Sequence, residues 1–554
     1  MTGTAAAQKD KSLRHASLDI HTLEFGPEGV LNFFWPLAPH EANAFSKRLT
    51  ENYAALMQEA EDGFGRDAVL PYKLFGKYFL CEAVAVFQGD LLLERCAKDG
   101  INPEIPAGWR MWPALKAGRT PEYPGFMKTM REGPVEGAAK RRLFDVARIK
   151  RIFSRLRPKA SGMTIDGLRL GKITPARLQN AIMATQRTEF ISRHAAQIDK
   201  DVYFMHSAGF FRRIGDAALA QATGNRPVKL EDRILGLVDA NYALCGTALS
   251  AAGREYLTGL LREGAACLKI HHARLLEAPE KLPRHLWTGT GGIIWDLMLR
   301  LAVSETGGFT EGHHHGSGMG HLNEGIVSFL ELWGCHRFVC INEGEVVTIK
   351  ATAPAHPRLQ NDIPEIMGLK TEPSSWVPKA LPKNKIVKTV MLLGTIYDRD
   401  RGRMGPLIPD VVYVDWQSRL ISWLRGQGYE VIFKPHPESP LMPPAAFHDA
   451  LGARIETRPF EEVLSQADLV LFDYLYTTTF RSALLSALPV VVADFGDTEW
   501  YDPALPLLEK RICRVMGHHD EQNRRQLNWS RLRWAFDTAP ERAASDEFVK
   551  TYML

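Results

Sequence analysis

A histidine flanked by two prolines follows an apolar run in "VIFKPHPES", residues 431–439. Each proline fixes its own φ and disfavours helical geometry in the residue before it. Lys434 and His436 are therefore predicted in extended backbone at the end of a strand. An ammonium group and an imidazole held there form a fixed cationic site suited to a phosphate ester. The same pattern is also that of a rigid loop without a ligand.

A second candidate anion site lies in "DYLYTTTFRSALL", residues 473–485. Three threonines stand where a predicted strand gives way to a predicted helix, and Thr477 or Thr478 can serve as the N-cap. The first turn of a helix offers unpaired N–H groups and the positive end of the helix dipole, which together bind anions. Without a ligand, the pattern is that of a capped helix.

A third loop, "GTIYDRDRGRMG" at 394–405, follows another predicted strand and carries three arginines, whose geometry suits phosphate. Ligands of open parallel sheets bind outside the carboxyl ends of the strands, so the three loops should converge on one rim. Together they indicate a nucleotide monophosphate or diphosphate ester. The residues predicted to bind this ester, which would be the donor of a group-transfer reaction, are Lys434, His436, Thr477, Thr478, Thr479, Ser482, Gly394, Thr395 and Arg399.

The elements that position these residues alternate between strands and helices over 386–515, which predicts a parallel, doubly wound sheet. A strand–glycine–helix order recurs over 281–350 and predicts a second Rossmann-like portion. The proline-rich stretch 351–385 is predicted as the linker between them. Residues 1–280 are predicted as a mainly helical N-terminal region, with helices over 40–64 and about 70–96, and residues 516–554 as a helical tail.

The "KPHP" strand end, followed some 40 residues later by a strand, a threonine cluster, a helix and "PVVV", resembles the donor half of GT-B glycosyltransferases. The pattern is similar in particular to bacterial surface-carbohydrate and capsule transferases: sialyltransferases with an HP motif, Kdo transferases and CDP-glycerol polymerases. The likeness covers about residues 280–510. It implies an α/β, GT-B-like fold with two Rossmann-like domains facing a cleft, and contacts from His436 and the threonine cluster to the donor phosphate.

The acceptor side of such a cleft must carry a general base that deprotonates the acceptor hydroxyl. "EGHHHGSGMGH" (311–321) resembles the His–Gly loop that many members place there, which makes His315 and Glu311 the first candidates. "NEGE" (342–345) resembles the acidic-acidic-glycine motif of bacterial sialyltransferases with Asn342 in place of the first acid, so Glu343 is the next candidate. Glu324 is a further candidate. The predicted acceptor-side glycines are Gly316, Gly318 and Gly320.

Three successive histidines at 313–315 also raise the question of a metal ion. Neighbouring side chains rarely converge on one ion in regular structure, and a metal site needs supporting partners. "DRD" at 398–400 imitates the metal-binding motif of another transferase class, but a solvated turn suits its place in a doubly wound sheet better. No metal and no cofactor is predicted.

The composition is that of a globular protein, with 45% hydrophobic and 24% charged residues and a formal net charge of +4. This small charge bias and the lack of a basic stripe argue against a nucleic-acid partner. Seven cysteines without a CxxC motif favour a reducing cytoplasm. Residues 140–159 form a basic, helical apolar stripe, which fits either the anionic inner face of the cytoplasmic membrane or packing on the protein's own domain.

The sequence therefore predicts a glycosyltransferase with a nucleotide-activated donor, CMP- or CDP-linked and resembling sialic acid or Kdo. The predicted acceptor is a bacterial surface glycan or a lipid-linked or protein-linked saccharide. Three alternatives stay open: a CDP-glycerol-type phosphotransferase, a nucleotide-sugar epimerase on the same fold, and a non-catalytic nucleotide-binding assembly protein.

Overall fold

The computed structural model describes residues 14–26, 28–134, 163–165, 168–170, 173–214, 227–315, 320–323, 325, 327–369, 386–437, 439, 441–443 and 445–554. The basic stretch 140–159, Gly316, Gly318 and Glu324 lie outside the described residues. No helix in the described ranges is both long enough and apolar enough to span a membrane.

The described strands are numbered in chain order. They are β1 (Arg14–Ser17), β2 (Phe25–Gly26), β3 (Gly29–Val30), β4 (Ile101–Glu104), β5 (Met163–Ile165), β6 (Leu168–Leu170), β7 (Ile182–Ala184), β8 (Val202–Phe204), β9 (His285–Thr288), β10 (Phe309–His313), β11 (Arg337–Cys340), β12 (Glu365–Gly368), β13 (Thr389–Leu393), β14 (Glu430–Lys434), β15 (Ala453–Ile455), β16 (Leu469–Phe472), β17 (Val490–Asp494), β18 (Cys513–His519) and β19 (Arg525–Leu527).

The α-helices are numbered in the same way. They are α1 (Pro39–Phe64), α2 (Arg66–Lys98), α3 (Trp112–Lys116), α4 (Gly125–Glu132), α5 (Pro175–Asn180), α6 (Glu189–Gln197), α7 (Ser207–Ile214), α8 (Val228–Leu244), α9 (Ala251–Leu276), α10 (Ile294–Glu305), α11 (Glu343–Thr352), α12 (Asp410–Gly426), α13 (Ala445–Ala450), α14 (Phe460–Val463), α15 (Thr478–Leu485), α16 (Leu505–Arg511), α17 (Trp529–Arg542) and α18 (Glu547–Tyr552).

The strands of the C-terminal part of the chain form one sheet, called the second sheet, with the order β15-β14-β13-β16-β17-β18-β19. The first six strands in this order, from β15 at the edge to β18, are all parallel, and β19 is antiparallel to β18. The six parallel strands follow the classic doubly wound order, which reverses direction between β13 and β16. Ligands of such sheets bind at this switch point, outside the carboxyl ends of the strands. The predicted parallel sheet is confirmed.

The first sheet has the order β12-β11-β10-β9-β7-β8-β6-β5 and is parallel except where β5 pairs with β6. Its order reverses between β7 and β9. The fold is thus α/β with two Rossmann-like sheets, as the sequence predicts. The domain boundary at residue 281 divides this sheet, however, because β7 pairs with β9. The stretch 351–385 likewise contains β12, a strand of the same sheet.

A layer of N-terminal helices packs against loops of both sheets. Helix α2 packs between α1 and α9, and α1 also contacts α8. The positions of α1 and α2 agree with the helices predicted over 40–64 and about 70–96. The layer reaches the loop after β13: Oδ2 of Asp400 accepts the backbone N–H of Trp112 at 3.1 Å, and Oδ1 of Asn43 accepts that of Leu407 at 3.1 Å.

The C-terminal segment returns to the first sheet. Residues 516–554 contain the end of β18, then β19, α17 and α18, so they are not a purely helical tail. Helix α18 packs against α11 of the first sheet and α16 of the second. The loop at 320–323 also meets the loop after β17, where the N–H of Asn323 donates to the carbonyl of Glu499 at 2.8 Å. The two sheets are therefore joined by α18 and by the contact between these loops.

Candidate active site

A cavity of about 1040 Å³ lies where the two sheets and the helical layer meet. The first sheet contributes residues that follow the carboxyl ends of β9 and β10, and the second contributes residues that follow β13, β16, β17 and β18. Helices α1 and α2 complete the wall. The polar and charged lining residues include His40, Lys47, Glu51, Lys77, Thr290, His315, Asn323, Glu331, His356, Arg403, Tyr474, Tyr476, Asp497, Glu499, His519, Asp520 and Asn523.

Glu331 is the buried carboxylate of this cavity. It ends a π-helical turn, Val327–Glu331, and its oxygens accept the hydroxyl of Thr290 and the N–H of Gly291, both at 2.6 Å. Gly291 has no room for a side chain, because a Cβ there would lie 2.1 Å from the carbonyl oxygen of Leu330. The glycine-rich turn after β9 thus fixes the carboxylate at the switch point of the first sheet.

His315 presents its imidazole to the same carboxylate. Its Nδ1 lies 3.3 Å from Oε1 of Glu331, and 47% of its side chain is exposed on the cavity side. A carboxylate facing Nδ1 favours the tautomer with a proton on Nδ1, which leaves Nε2 as a proton acceptor. The pair therefore has the arrangement of a general base held by an acidic partner.

A buried arginine holds the backbone of this turn in place. Arg300 is fully buried and donates from Nη1 to the carbonyls of Glu331 at 2.9 Å and Trp333 at 2.8 Å. Its Nε and Nη2 donate to Oγ1 of Thr288, the last residue of β9. One side chain thus ties the end of β9 to the π-helical turn that carries Glu331.

The charge on Glu331 links the site to folding stability. Burial would raise the pKa of Glu331, but hydrogen bonds from His315, Thr290 and Gly291 outweigh it and lower the pKa from 4.5 to about 2. Because the folded pKa is the lower one, the stabilisation is complete above pH 4.5 and is lost as the pH falls towards 2. It amounts to about 3 kcal/mol at neutral pH.

We expect the difference in unfolding free energy between the wild-type protein and Glu331→Gln to shrink over this acidic range. Urea denaturation at a series of pH values measures it. A difference that stays constant from neutral pH to about pH 3 would contradict the assignment, since the amide cannot titrate.

The three successive histidines serve three different contacts. His313 donates from Nδ1 to the carbonyl of Thr288 at 3.2 Å, and its Nε2 accepts from Nδ1 of His194 at 2.9 Å. Nδ1 of His314 faces the carboxylate of Glu345. His315 alone of the three turns to Glu331. Within the described residues, no group of three or more His, Cys, Asp or Glu side chains is placed to hold a metal ion.

The other two predicted base candidates lie elsewhere. Glu311 is 3% exposed, and its Oε1 accepts Nε2–H of His285 at 2.6 Å and Nε1–H of Trp287 at 2.8 Å. Glu343 is exposed at the first turn of α11, which Asn342 caps by accepting the N–H of Glu345. Neither carboxylate is among the described residues that line the cavity. Gly320, at φ +80°, packs against Tyr552 of α18.

The wall from the second sheet is built on a buried arginine and several carboxylates. Arg525 is fully buried, bonds to the carboxylate of Asp497, and lies 4.4 Å from the ring centroid of Phe495. Asp473 accepts Nε1–H of Trp416 at 2.8 Å. Burial raises the pKa of Asp473 to about 6, and Arg525 acts in the opposite direction. These contacts fix the loops after β16 and β17.

The predicted threonine cluster caps α15. Thr477 is the N-cap, as predicted: its Oγ1 accepts the N–H of Thr479 at 3.4 Å and lies 2.8 Å from Oγ1 of Thr479. Thr478 is exposed. His436 is half-buried, and its carbonyl accepts the N–H of Ser439 at 3.2 Å. Strands β14 and β16 both neighbour β13, so their ends are about 10 Å apart.

The remaining predicted donor residues have partners within the second sheet's own loops. Burial lowers the pKa of Lys434, whereas Glu456 and Glu461 act to raise it. Ser482 donates to Oε1 of Glu461 at 2.8 Å. The N–H groups of Gly394, Thr395 and Arg399 donate to the carbonyl of Lys434, to Oη of Tyr413 and to Asp410, respectively.

None of the nine predicted donor residues is among the described residues that line the cavity. They lie at the same rim, and their chain neighbours Arg403, Tyr474 and Tyr476 line the cavity instead. Arg399 lines a separate, smaller void beside Trp35 and Trp112. Both carboxylates of "DRD" have protein partners. Asp398 pairs with Arg403 at 2.6 Å, and Asp400 accepts backbone N–H groups of the helical layer.

Glu331 is not among the residues predicted from the sequence, although its sequence context indicates a positioned carboxylate. It is a single carboxylate inside the apolar run "VSFLELW" (327–333). Acidic side chains are almost never fully buried without a partner, so a charge within a run of core residues indicates a paired, positioned group. Helical or strand periodicity cannot reveal it, because the turn is neither.

Comparisons with family models and with curated proteins find no match. A comparison with solved structures finds Phytolacca americana UGT2, in a structure complexed with UDP-2fluoro-glucose and pterostilbene. It shares 11% sequence identity, covers 67% of this chain and 86% of that chain, and has a TM-score of 0.33. A likeness this weak decides nothing about activity, and the fold assignment rests on the strand orders.

Proposed function

We propose that the protein is a glycosyltransferase in which His315, held by Glu331, is the general base. The carrying observation is the 3.3 Å contact between these two side chains in the cavity between two doubly wound sheets. An acceptor hydroxyl placed beside Nε2 of His315 loses its proton as it attacks the anomeric carbon of the donor sugar. The bond from that carbon to the donor phosphate breaks, and the nucleotide leaves.

The donor is proposed to be a nucleotide-activated sugar bound against the loops of the second sheet. Tyr474, Phe495 and His519 supply ring faces on that wall, and Asp497 and Asp520 supply acceptors for sugar or ribose hydroxyls. The CMP- or CDP-linked donor and the surface-glycan, lipid-linked or protein-linked acceptor follow from the "KPHP" resemblance. The cavity volume is ample for a donor together with part of an acceptor.

Nucleotide binding tests this proposal directly. We expect at least one of CMP, CDP, UDP and GDP to raise the melting temperature, because a ligand at 100 times its Kd stabilises the folded state by about 2.7 kcal/mol. Transfer of a labelled sugar from the matching donor then identifies the reaction. If none of the four nucleotides shifts the melting temperature, the transferase proposal fails. A shift by UDP alone would overturn the CMP or CDP assignment.

A further inference from the structure

Two cationic side chains reach the cavity from different layers and meet at one cysteine. Lys77 projects from α2 in the helical layer, and Arg403 from the loop after β13. Cys81 lies one helical turn after Lys77 and lines the cavity with both. The sequence analysis placed no binding residue in the helical region, so Lys77 has no role in the function proposed above.

Lys77 is positioned by the first sheet. Its Nζ donates to the carbonyl of Gly292, in the turn after β9, at 3.0 Å. An ammonium has three donors, and one is used in this contact. No carboxylate of the described residues lies within ion-pair distance of this Nζ. Lys73, four residues earlier, differs: its charge is paired with Glu61 at 2.8 Å and is 3% exposed.

Arg403 is positioned by Asp398 and by the helical layer. Its Nε and Nη2 contact the two carboxylate oxygens of Asp398 at 2.6 and 2.7 Å, and its Nη1 lies 3.4 Å from Oη of Tyr474 in the cavity wall. The loop packs directly against α2, where only glycine fits, because a Cβ at Gly402 would lie 1.8 Å from the carbonyl oxygen of Cys81. The guanidinium edge that carries Nη1 is therefore held at the cavity.

Cys81 lies close to both cations, since it is one helical turn from Lys77 and its carbonyl abuts Gly402, the residue before Arg403. Burial raises the pKa of the Cys81 thiol to about 11, and both Lys77 and Arg403 act in the opposite direction. Arg403 shares its charge with Asp398 but keeps Nη1 at the cavity wall, and Lys77 has no carboxylate partner among the described residues. The two groups beside a neutral thiol form a site that fits an anion. Glu331, Asp497 and Glu499 do not compete for them, since each has its own partner, in His315, Arg525 and Lys47.

We propose that Lys77 and Arg403 bind the phosphate of the nucleotide-activated donor beside Cys81. This inference rests on the proposed function and extends it, because the helical layer then supplies a donor-binding charge from outside both Rossmann-like sheets. The two cations neutralise the charge that develops on the phosphate as the bond to the sugar breaks. Arg403 and Lys77 take the role that the sequence predicts for Lys434 and His436.

The experiment uses the full chain and measures two quantities. The first is the Kd of inorganic pyrophosphate and of CDP by calorimetry. The second is the rate at which Cys81 reacts with N-ethylmaleimide with and without each ligand, read by mass spectrometry of its peptide. We expect both ligands to slow the alkylation of Cys81. Lys77→Gln and Arg403→Gln should each weaken binding roughly 10- to 100-fold, the range for a hydrogen bond to a charged group.

Three variants serve as controls. Lys73→Gln removes a lysine from the same helix, and Arg401→Gln an arginine from the same loop; neither side chain lines the cavity, so both should bind as the wild-type chain does. His436→Ala tests the "KPHP" loop. Wild-type affinity in both Lys77→Gln and Arg403→Gln, or a loss confined to His436→Ala, would overturn the inference. Failure of both ligands to protect Cys81 would also overturn it. Protection without any sugar transfer would leave it standing and refute the proposed function instead.

Discussion

Replacing His315 with alanine is expected to lower the rate constant of sugar transfer by about 10²- to 10⁴-fold, the usual contribution of a general base. The substitution removes the more exposed member of the His315–Glu331 pair, since 47% of the His315 side chain is exposed and 5% of the Glu331 side chain. Nucleotide affinity should stay within about twofold, because the donor contacts proposed above are made by other side chains. Single-turnover kinetics with a labelled donor separates the two effects.

Imidazole offers a sharper readout of the same role. The cavity of about 1040 Å³ has room for a free imidazole in the space that His315→Ala leaves. Added imidazole should therefore restore part of the lost rate in His315→Ala. Glu331→Gln should be slower than wild-type but insensitive to imidazole, since its own ring is present and only the orienting charge is lost.

The matched control is His336, which is exposed at the opposite, amino-terminal end of β11 and accepts the N–H of Thr310. His336→Ala should transfer sugar at the wild-type rate. Activity of His315→Ala above roughly a tenth of wild-type, together with no rescue by imidazole, would remove His315 from the role of base.

The second sheet could be predicted from sequence because its strands and helices carry independent local signals. β13, β14, β16 and β17 each contain three or four consecutive buried apolar residues and end at or just before a glycine, proline or aspartate. The preference of threonine for the N-cap position predicts the start of α15 at Thr477. Each signal lies within a few residues, so no knowledge of distant contacts is needed.

The first sheet was predicted only in part, because its missing strands have no such signal. β7 and β8 have three residues each and lie within a stretch that reads as helical. Three positions cannot establish a period of two. These strands depend on β9, about 100 residues further along the chain, with which β7 pairs, and this is a tertiary effect. The boundary predicted at residue 281 falls between these partners for that reason.

The candidate site was harder to predict than the fold, since it draws on three layers of the molecule. His315 could be predicted because its loop, "EGHHHGSGMGH", resembles the His–Gly loop of GT-B glycosyltransferases. Lys77 could not, because one lysine on a long helix is normally a solvated residue. Its position depends on how α2 packs beside the turn after β9, where it meets Gly292. Local sequence contains no trace of that packing.

Arg300→Met is expected to destabilise the protein by roughly 3 kcal/mol or more, because it removes the arginine donors from three buried acceptors at about 1–3 kcal/mol each. These acceptors are Oγ1 of Thr288 and the carbonyls of Glu331 and Trp333. Methionine matches the length of the arginine stem, so little of the effect comes from a cavity. Urea denaturation measures the loss.

The matched control is Arg337→Met, one strand further along the sheet. Arg337 pairs with the exposed Glu365 at 2.9 Å and lies 3.6 Å from the buried Glu311. Glu311 keeps its hydrogen bonds from His285 and Trp287, so the loss should be smaller than in Arg300→Met. A loss below about 1 kcal/mol in Arg300→Met would contradict the account of its hydrogen bonds. The two sites differ in kind: Arg300 holds the backbone that carries Glu331, so its loss should also slow transfer under conditions where the variant stays folded. Arg337→Met should leave transfer unchanged, because its guanidinium touches no residue of the turn.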